Sequence, residues 1–439
     1  MNYEDILEKL VAFNTVNNPI EGIIPQKEIL IFLQTTIFDP LNFTTEFIER
    51  KNYYSLIAYI KRDSPNILFL GHCDTVPEGE GWDTPPFKLT KKGNRAYGRG
   101  SADMKGAVSV MVSLANYFKE KSTATIIYVL TTDEETGGNN GARLILPILK
   151  EKQLLPSYII NGDANGLQVV TRRRNPFVIT MALPKEKRKQ KGMQYKEKFY
   201  TAIAGDRTMH AAYFNKELDI HCLNLASEFA KQNNYLISKI DGTFVKDNVV
   251  PSNIEITCLI PTDDGEEHEY DENLTKLLYS IEQLKELELT SEYSDYGVNL
   301  TCNYITERES DYFIQFDLRI MSNDYDEIDV KVKEFFEKKS IKGTITIKGG
   351  NGYLNSRENG KLVTEAKEVC DTMNLSPYTI EMGGATDSRW FSGENIDAIE
   401  FGPLGANVHG KNEYVELESL KQVETFYIKL VEKLENKKE

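Results

Sequence analysis

NILFLGHCDTVP, residues 66–77, is a short apolar run that breaks into a polar segment carrying His72 and Asp74. A continuous apolar run of this length, closed by Gly and Pro, has the pattern of a strand buried on both faces. The pattern recurs. ATIIYVL (124–130) runs into TTDEETGG, SYIIN (157–161) into GDANG, and AIEFG (398–402) into PLGANVHG. Between the first two runs, MKGAVSVMVSLANYF (104–118) carries the apolar spacing of a helix. Strands alternating with helices predict an α/β fold with a mostly parallel sheet.

Residues from Arg172 onward have a different texture. Alternating strands such as FVITMAL (177–183) and YFIQFDLRI (312–320) surround helices expected near 211–232 and 323–338. This is an α+β pattern with half-exposed strands. The chain is therefore expected to divide into an α/β domain formed by residues 1–170 and 353–439, with an α+β domain at 171–352 inserted in it. A closing helix is expected from about 416 to 437. Two charge runs, basic KEKRKQK (185–191) and acidic DDGEEHEYDE (263–272), read as solvated loops because uncompensated like charges favour exposure.

The 439 residues are enough for two or three cores, and the formal charge of −15 repels nucleic acid and anionic membranes. No apolar run reaches the length of a membrane span. The start, MNYEDILEKLVAF, reads as an amphipathic helix with Ile6, Leu7, Leu10 and Val11 on one face. Five dispersed cysteines without a CxxC pair point to a reducing compartment, so cytoplasm is expected.

The acidic and histidine residues fall where an open α/β sheet binds its ligand, just past the carboxyl ends of strands. His72 and Asp74 follow the first run, Asp133, Glu134 and Glu135 the second, Asp163 the third and His409 the fourth. Asp103 lies in glycine-rich GRGSADMKG, ahead of a helix. Singly these are weak signals, since a lone histidine is often a core residue and paired glutamates are common on surfaces. Their joint placement carries the reading. Converging carboxylates and imidazoles call for divalent cations. A two-metal centre needs a carboxylate between ions about 3.5–4 Å apart, and Asp103 is expected to be that bridge. His72 with Asp163 forms one site; Glu135 with His409 forms the other. Glu134, adjacent to a ligand but unligated, is expected to act as general base and then acid. Asp74 is expected to orient His72.

In order along the chain, GHCDTVP, GWDTPPF, GRGSADMKG, TTDEETGG, MGGATDSRWF and NVHGKNEYV resemble the zinc-dependent metallopeptidase family of acetylornithine deacetylase, succinyl-diaminopimelate desuccinylase, aminoacylase and glutamate carboxypeptidase. The resemblance runs from about residue 5 to 435 and implies the same ligands: His72, Asp103, Glu135, Asp163 and His409. It implies a cis peptide between Asp103 and Met104, and an inserted lid that pairs two chains through a strand near 198–205. Within the lid, His210 resembles the residue that enters a neighbouring site to hold the oxyanion. Asn248 and Arg319, together with Gly384 of MGGATDSRWF, resemble substrate-binding positions. One arginine of Arg172, Arg173 and Arg174 is a further anion-binding candidate, with a solvated hinge as the other reading. Cys73 reads as core, and His221 and His268 as chemically silent. Ala385 replaces a hydroxyl residue of the desuccinylase branch, Gly405 an asparagine, and 262–308 is an added segment that puts dimer geometry in question.

The expected protein is a hydrolase cleaving N-acyl amino acids through a hydroxide bridging two zinc ions, with Co2+ or Mn2+ as substitutes. A carboxypeptidase or dipeptidase is the alternative. A pure binding protein has no use for Glu134, and a phosphohydrolase is a further rival. Its partners are expected to be a small N-acyl amino acid or peptide and a second copy of the chain, with no nucleic acid or membrane.

Overall fold

Four runs of apolar residues give four strands that need protein on both faces. In Ala124–Thr131 and Asp397–Glu400 every residue is buried. With Asp63–His72 and Tyr158–Asn161, these form the centre of a nine-stranded sheet in a computed structural model that describes residues 1–205, 209–394 and 396–436. The four central strands are parallel, in the order 124–131, 63–72, 158–161, 397–400. Antiparallel strands extend the sheet on both sides, through Tyr53–Ile60 and Thr44–Arg50 at one end and Val169–Arg173 and Leu354–Asn355 at the other. Register places His72 beside Thr131, and Asn161 beside Glu400, so the loops that follow leave from one sheet edge.

Helices cover this sheet with the faces that their apolar spacing predicts. Tyr3–Ala12 is capped by Asn2, whose side chain accepts from the Asp5 N–H, and buries Ile6, Leu7, Leu10 and Val11. Leu417–Glu435 buries Leu420, Val423, Phe426, Leu430 and Leu434; Lys437 lies outside the described residues. Between them, Phe69 stacks on Phe118 at 5.5 Å and on Tyr128 at 5.4 Å. A small antiparallel sheet pairs Tyr414–Glu416 with Arg95–Tyr97 and brings two distant loops side by side.

Contacts divide the chain into two units: residues 1–173, 354–381 and 385–439, and residues 174–353 with 382–384. The second unit holds two four-stranded antiparallel sheets. In one of them, Asn175–Pro184 alternates between buried and half-buried residues. Its core contains Phe177, Ile179, Met181, Leu318 and Phe336.

Three sequence expectations need correction here. The charge runs are mostly strand rather than loop: residues 263–266 form an exposed turn, but 187–191 and 267–271 are paired strand, and Asp271 is buried. Lys187–Tyr200 is one 14-residue strand, whose residues 187–191 pair antiparallel with Glu267–Asp271. Lys187 lies 3.5 Å from Glu269, so charges that would repel within each run are matched between strands. The helix expected from 211 is a single 3-10 turn, Ala211–Tyr213, and the helix proper is Cys222–Gln232, capped by His221. Asp219 holds the intervening turn by accepting the N–H groups of Ala204 and Asn215. The strand expected near 198–205 ends at Tyr200, leaving an isolated bridge between Ala202 and Ile220.

Candidate active site

The candidate ligands of the first unit converge on the sheet edge. His72 ends its strand, and its Nδ1 lies 3.1 Å from the backbone oxygen of Asp74. A carbonyl can only accept, so Nδ1 carries a proton and Nε2 is the ring nitrogen turned toward the site. That Nε2 faces Asp103 Oδ1 at 3.0 Å. His409, held by its loop at a φ of 62°, faces the other oxygen of Asp103 from Nε2 at 3.1 Å and Glu135 Oε2 at 3.2 Å. His72, Asp103 and Glu135 thus offer ligand atoms within 4.8 Å of one another.

Asp103 reaches this position from an irregular turn, Ser101–Lys105, in which the Asp103–Met104 peptide is cis. Asp163 approaches from the Tyr158–Asn161 strand. Arg173 fixes its loop by donating from Nη2 to the Asp163 backbone oxygen while its Nε binds Glu400. Arg173 and Arg174 are buried, and Arg172 lies 3.9 Å from Glu381, so the triplet is not a solvated hinge. Inward direction on the strand Val169–Arg173 and an acidic partner overrode the usual exposure of arginine.

Glu134 and Glu135 sit on one 3-10 turn, Glu134–Thr136. Buried Asp74 accepts both their N–H groups, at 3.3 and 3.1 Å, and the Asn17 amide at 2.8 Å. Asp74 Oδ1 is also 3.5 Å from His72 Nδ1. Cys73, on the opposite side of this segment, is in the core.

The electrostatics show what the donor set demands. Burial pushes the carboxyls of Asp163 and Glu134 well above their usual range, and neighbouring carboxylates push them further. Burial also works against ionisation of Asp103, but hydrogen bonds from His409 and His72 overcome it and hold the group low. The negative charge of Glu135 lifts His409 to about 12. Each imidazole Nε2 thus lies within hydrogen-bonding distance of an anionic oxygen, an arrangement held here by a proton that a metal ion could replace. Two imidazoles, a carboxylate between them and two flanking carboxylates match the hard and borderline donors of divalent metals.

In the second unit, His210 Nδ1 accepts the Ala212 N–H at 3.0 Å, which leaves the proton on Nε2. Nε2 lies 3.2 Å from the side-chain amide of Asn248. The Asn248 oxygen is otherwise buried without a partner, so an amide turned to accept from Nε2–H satisfies both groups. Arg319 donates from Nε and Nη2 to Asp317 at 2.7 and 2.8 Å, a bidentate pair within one strand. Gly384 belongs by its contacts to this unit, where Gly383 packs so closely on the Ala212 backbone that a Cβ would lie 1.8 Å from its oxygen. His221 caps a helix and meets Asn303 at 3.2 Å; His268 lies on the strand Glu267–Asp271. One residue escaped the sequence reading altogether: Glu413, buried beside Asp103, lies inside NVHGKNEYV four positions after His409.

Histidine and carboxylate groups gathered past strand ends in this way fit the site of a metal-dependent hydrolase. The chain belongs to peptidase family M20/M25/M40, whose profile matches residues 68–433. It is thus an enzyme that hydrolyses amide bonds, in a metal-dependent family. It is 25% identical over 380 residues to the succinyl-diaminopimelate desuccinylase of Helicobacter pylori strain G27, covering 85% of this chain and 80% of the relative. Among solved structures, it is similar to the aminoacylhistidine dipeptidase of Vibrio alginolyticus, with a TM-score of 0.69, 12% identity, and 98% and 96% of the two chains covered. It is also similar to Bacillus subtilis YXEP, described as a dinuclear metal-binding peptidase, with a TM-score of 0.52, 11% identity, and 98% and 96% covered. No helix among the described residues is long and apolar enough to cross a membrane.

Proposed function

We propose that the chain hydrolyses the amide bond of N-acyl amino acids at a two-zinc centre. His72 and Asp163 would hold one ion, Glu135 and His409 the other, and Asp103 would lie between them; cobalt or manganese could substitute. The observation that carries this is Asp103, whose two oxygens face two different imidazoles at 3.0 and 3.1 Å. The dinuclear description of YXEP supports the count. Bound there, the ions supply Lewis acidity and lower the pKa of water toward neutrality.

The protein's own groups do the rest. Glu134, held by Asp74 beside a ligand but not itself one, accepts the proton of the attacking water on its carboxylate and returns it to the departing nitrogen. His210 would offer Nε2–H to the oxyanion on releasing Asn248, which holds that nitrogen in the structure. Arg319, steadied by Asp317, and Gly384 would receive the substrate carboxylate.

The desuccinylase relative favours an acyl amino acid, while Ala385 and Gly405 argue against succinyl as the acyl group. Short peptides are the second reading, favoured by the likeness to a dipeptidase. The lid is read as a dimerisation surface, supported by a long strand on which Met193, Tyr195 and Tyr200 are exposed. Five free, buried cysteines suit a cytoplasmic protein. The test is a hydrolysis screen of acetyl-, succinyl- and peptidyl-amino acids with zinc, cobalt or manganese. Cleavage of none of them overturns the proposal, and cleavage of peptides alone selects the second reading.

A further inference from the structure

We propose that Glu413 is a positioning residue of the metal centre, fixing Asp103 through its backbone and joining three ligand-bearing loops in one buried knot. The inference rests on the metal reading above. Glu413 is 1% exposed. One carboxylate oxygen, Oε2, accepts from Arg99 Nη1 at 2.7 Å and from the Gly100 N–H at 2.9 Å. The other, Oε1, accepts the N–H groups of Ala102 at 2.9 Å and Asp103 at 3.1 Å. Four donors, two to each oxygen, fill the acceptor capacity of a carboxylate.

The knot extends through Arg99. Its Nη2 donates to the backbone oxygens of Pro77 and Glu78, both at 3.1 Å, in the loop that follows His72 and Asp74. Glu413 itself ends the loop that carries His409, and its backbone oxygen accepts the Gly98 N–H at 3.0 Å. One ion pair therefore ties together the segments presenting His72, Asp103 and His409. Asp74 organises the complementary set, His72 with Glu134 and Glu135.

A carboxylate is required at this place. The loop at 98–103 turns its N–H groups inward, and Gly100 makes that turn at a φ of 77°, with no room for a Cβ, which would lie 2.6 Å from Thr75 Cγ2. Without an acceptor, three buried N–H groups lose their partner. Glutamine does not replace it, because its amide nitrogen must face two donors in either orientation. Asp103 is then free to rotate, and both of its oxygens leave their places together.

The experiment is Co2+ titration of Glu413→Gln and Glu413→Asp against a competing chelator, with visible spectra and kinetics. The expected result is 10- to 100-fold weaker Co2+ binding for Glu413→Gln, the usual size for a lost supporting contact. The Co2+ spectrum changes, and kcat falls by a similar factor while KM stays within about two-fold. Glu413→Asp, with the charge but less reach, recovers part of the affinity. A folded Glu413→Gln with wild-type affinity and spectrum overturns the inference, even if its melting temperature is lower. Should that variant not fold, Glu413→Asp is read in the same way, and wild-type affinity overturns the inference. A wild-type chain that takes up no Co2+ overturns the metal centre itself and this inference with it.

Discussion

Asp74 Oδ2 accepts the backbone N–H of Glu135 at 3.1 Å. The same carboxylate accepts from Glu134 and stands 3.5 Å from the His72 ring, so it sets two proposed ligands, His72 and Glu135, and the candidate base at once. Asp74→Ala is expected to lower metal affinity 10- to 100-fold, with a comparable fall in kcat. Metal titration and steady-state kinetics on the same preparation check this; unchanged values for both would remove Asp74 from the site.

Glu134→Gln separates the base from the ligands. The substitution keeps size and hydrogen-bonding shape but removes the proton acceptor, so kcat is expected to fall about 10²- to 10⁴-fold. Metal content, measured on the purified chain, should equal that of the wild type. Near-normal turnover with full metal would assign the proton transfer to another group.

His210 and Glu134 belong to different units, which gives a test of whether two chains share a site. His210→Ala and Glu134→Gln chains, each inactive alone, are expected to regain activity when mixed under conditions that allow subunit exchange. Mixed chains that exchange yet stay inactive point to sites completed within one chain.

His221 predicts a stability change with pH that has nothing to do with metal. Burial holds its folded pKa down at about 4, whereas an unfolded histidine titrates near 6.5. The unfolded chain therefore binds more protons between these values, and stability falls as pH drops from about 6.5 toward 4. Near pH 5 the loss from this group is on the order of 2 kcal/mol. Denaturant titrations at pH 7 and pH 5 are expected to show a smaller difference for His221→Asn than for the wild type. Equal pH dependence in the two would mean that His221 is not buried neutral.

The strands that carry His72, Glu134, Asp163 and His409 were legible because a buried parallel strand is apolar along its whole length, and its carboxyl end is marked by the first polar residues. Arg173 was not, because the strand direction that turns it toward Glu400 is a tertiary fact. The charge runs misled for a related reason: each looked uncompensated alone, and Lys187 meets Glu269 only after two strands distant in sequence pair. Glu413 left no local trace. Its donors are mostly backbone N–H groups more than 300 positions earlier, and a backbone donor has no signature in the side-chain sequence.

Asp103 and His409 meet across 306 positions. Synthesis proceeds from the amino terminus, so a growing chain displays His72 and Asp103 through most of its elongation without the last imidazole or the carboxylate of Glu413. A contact of this sequence separation is of the long-range kind that is slow to form. On the proposed ligand set, a growing chain that stops short of residue 409 lacks both His409 and Glu413 and cannot complete the centre.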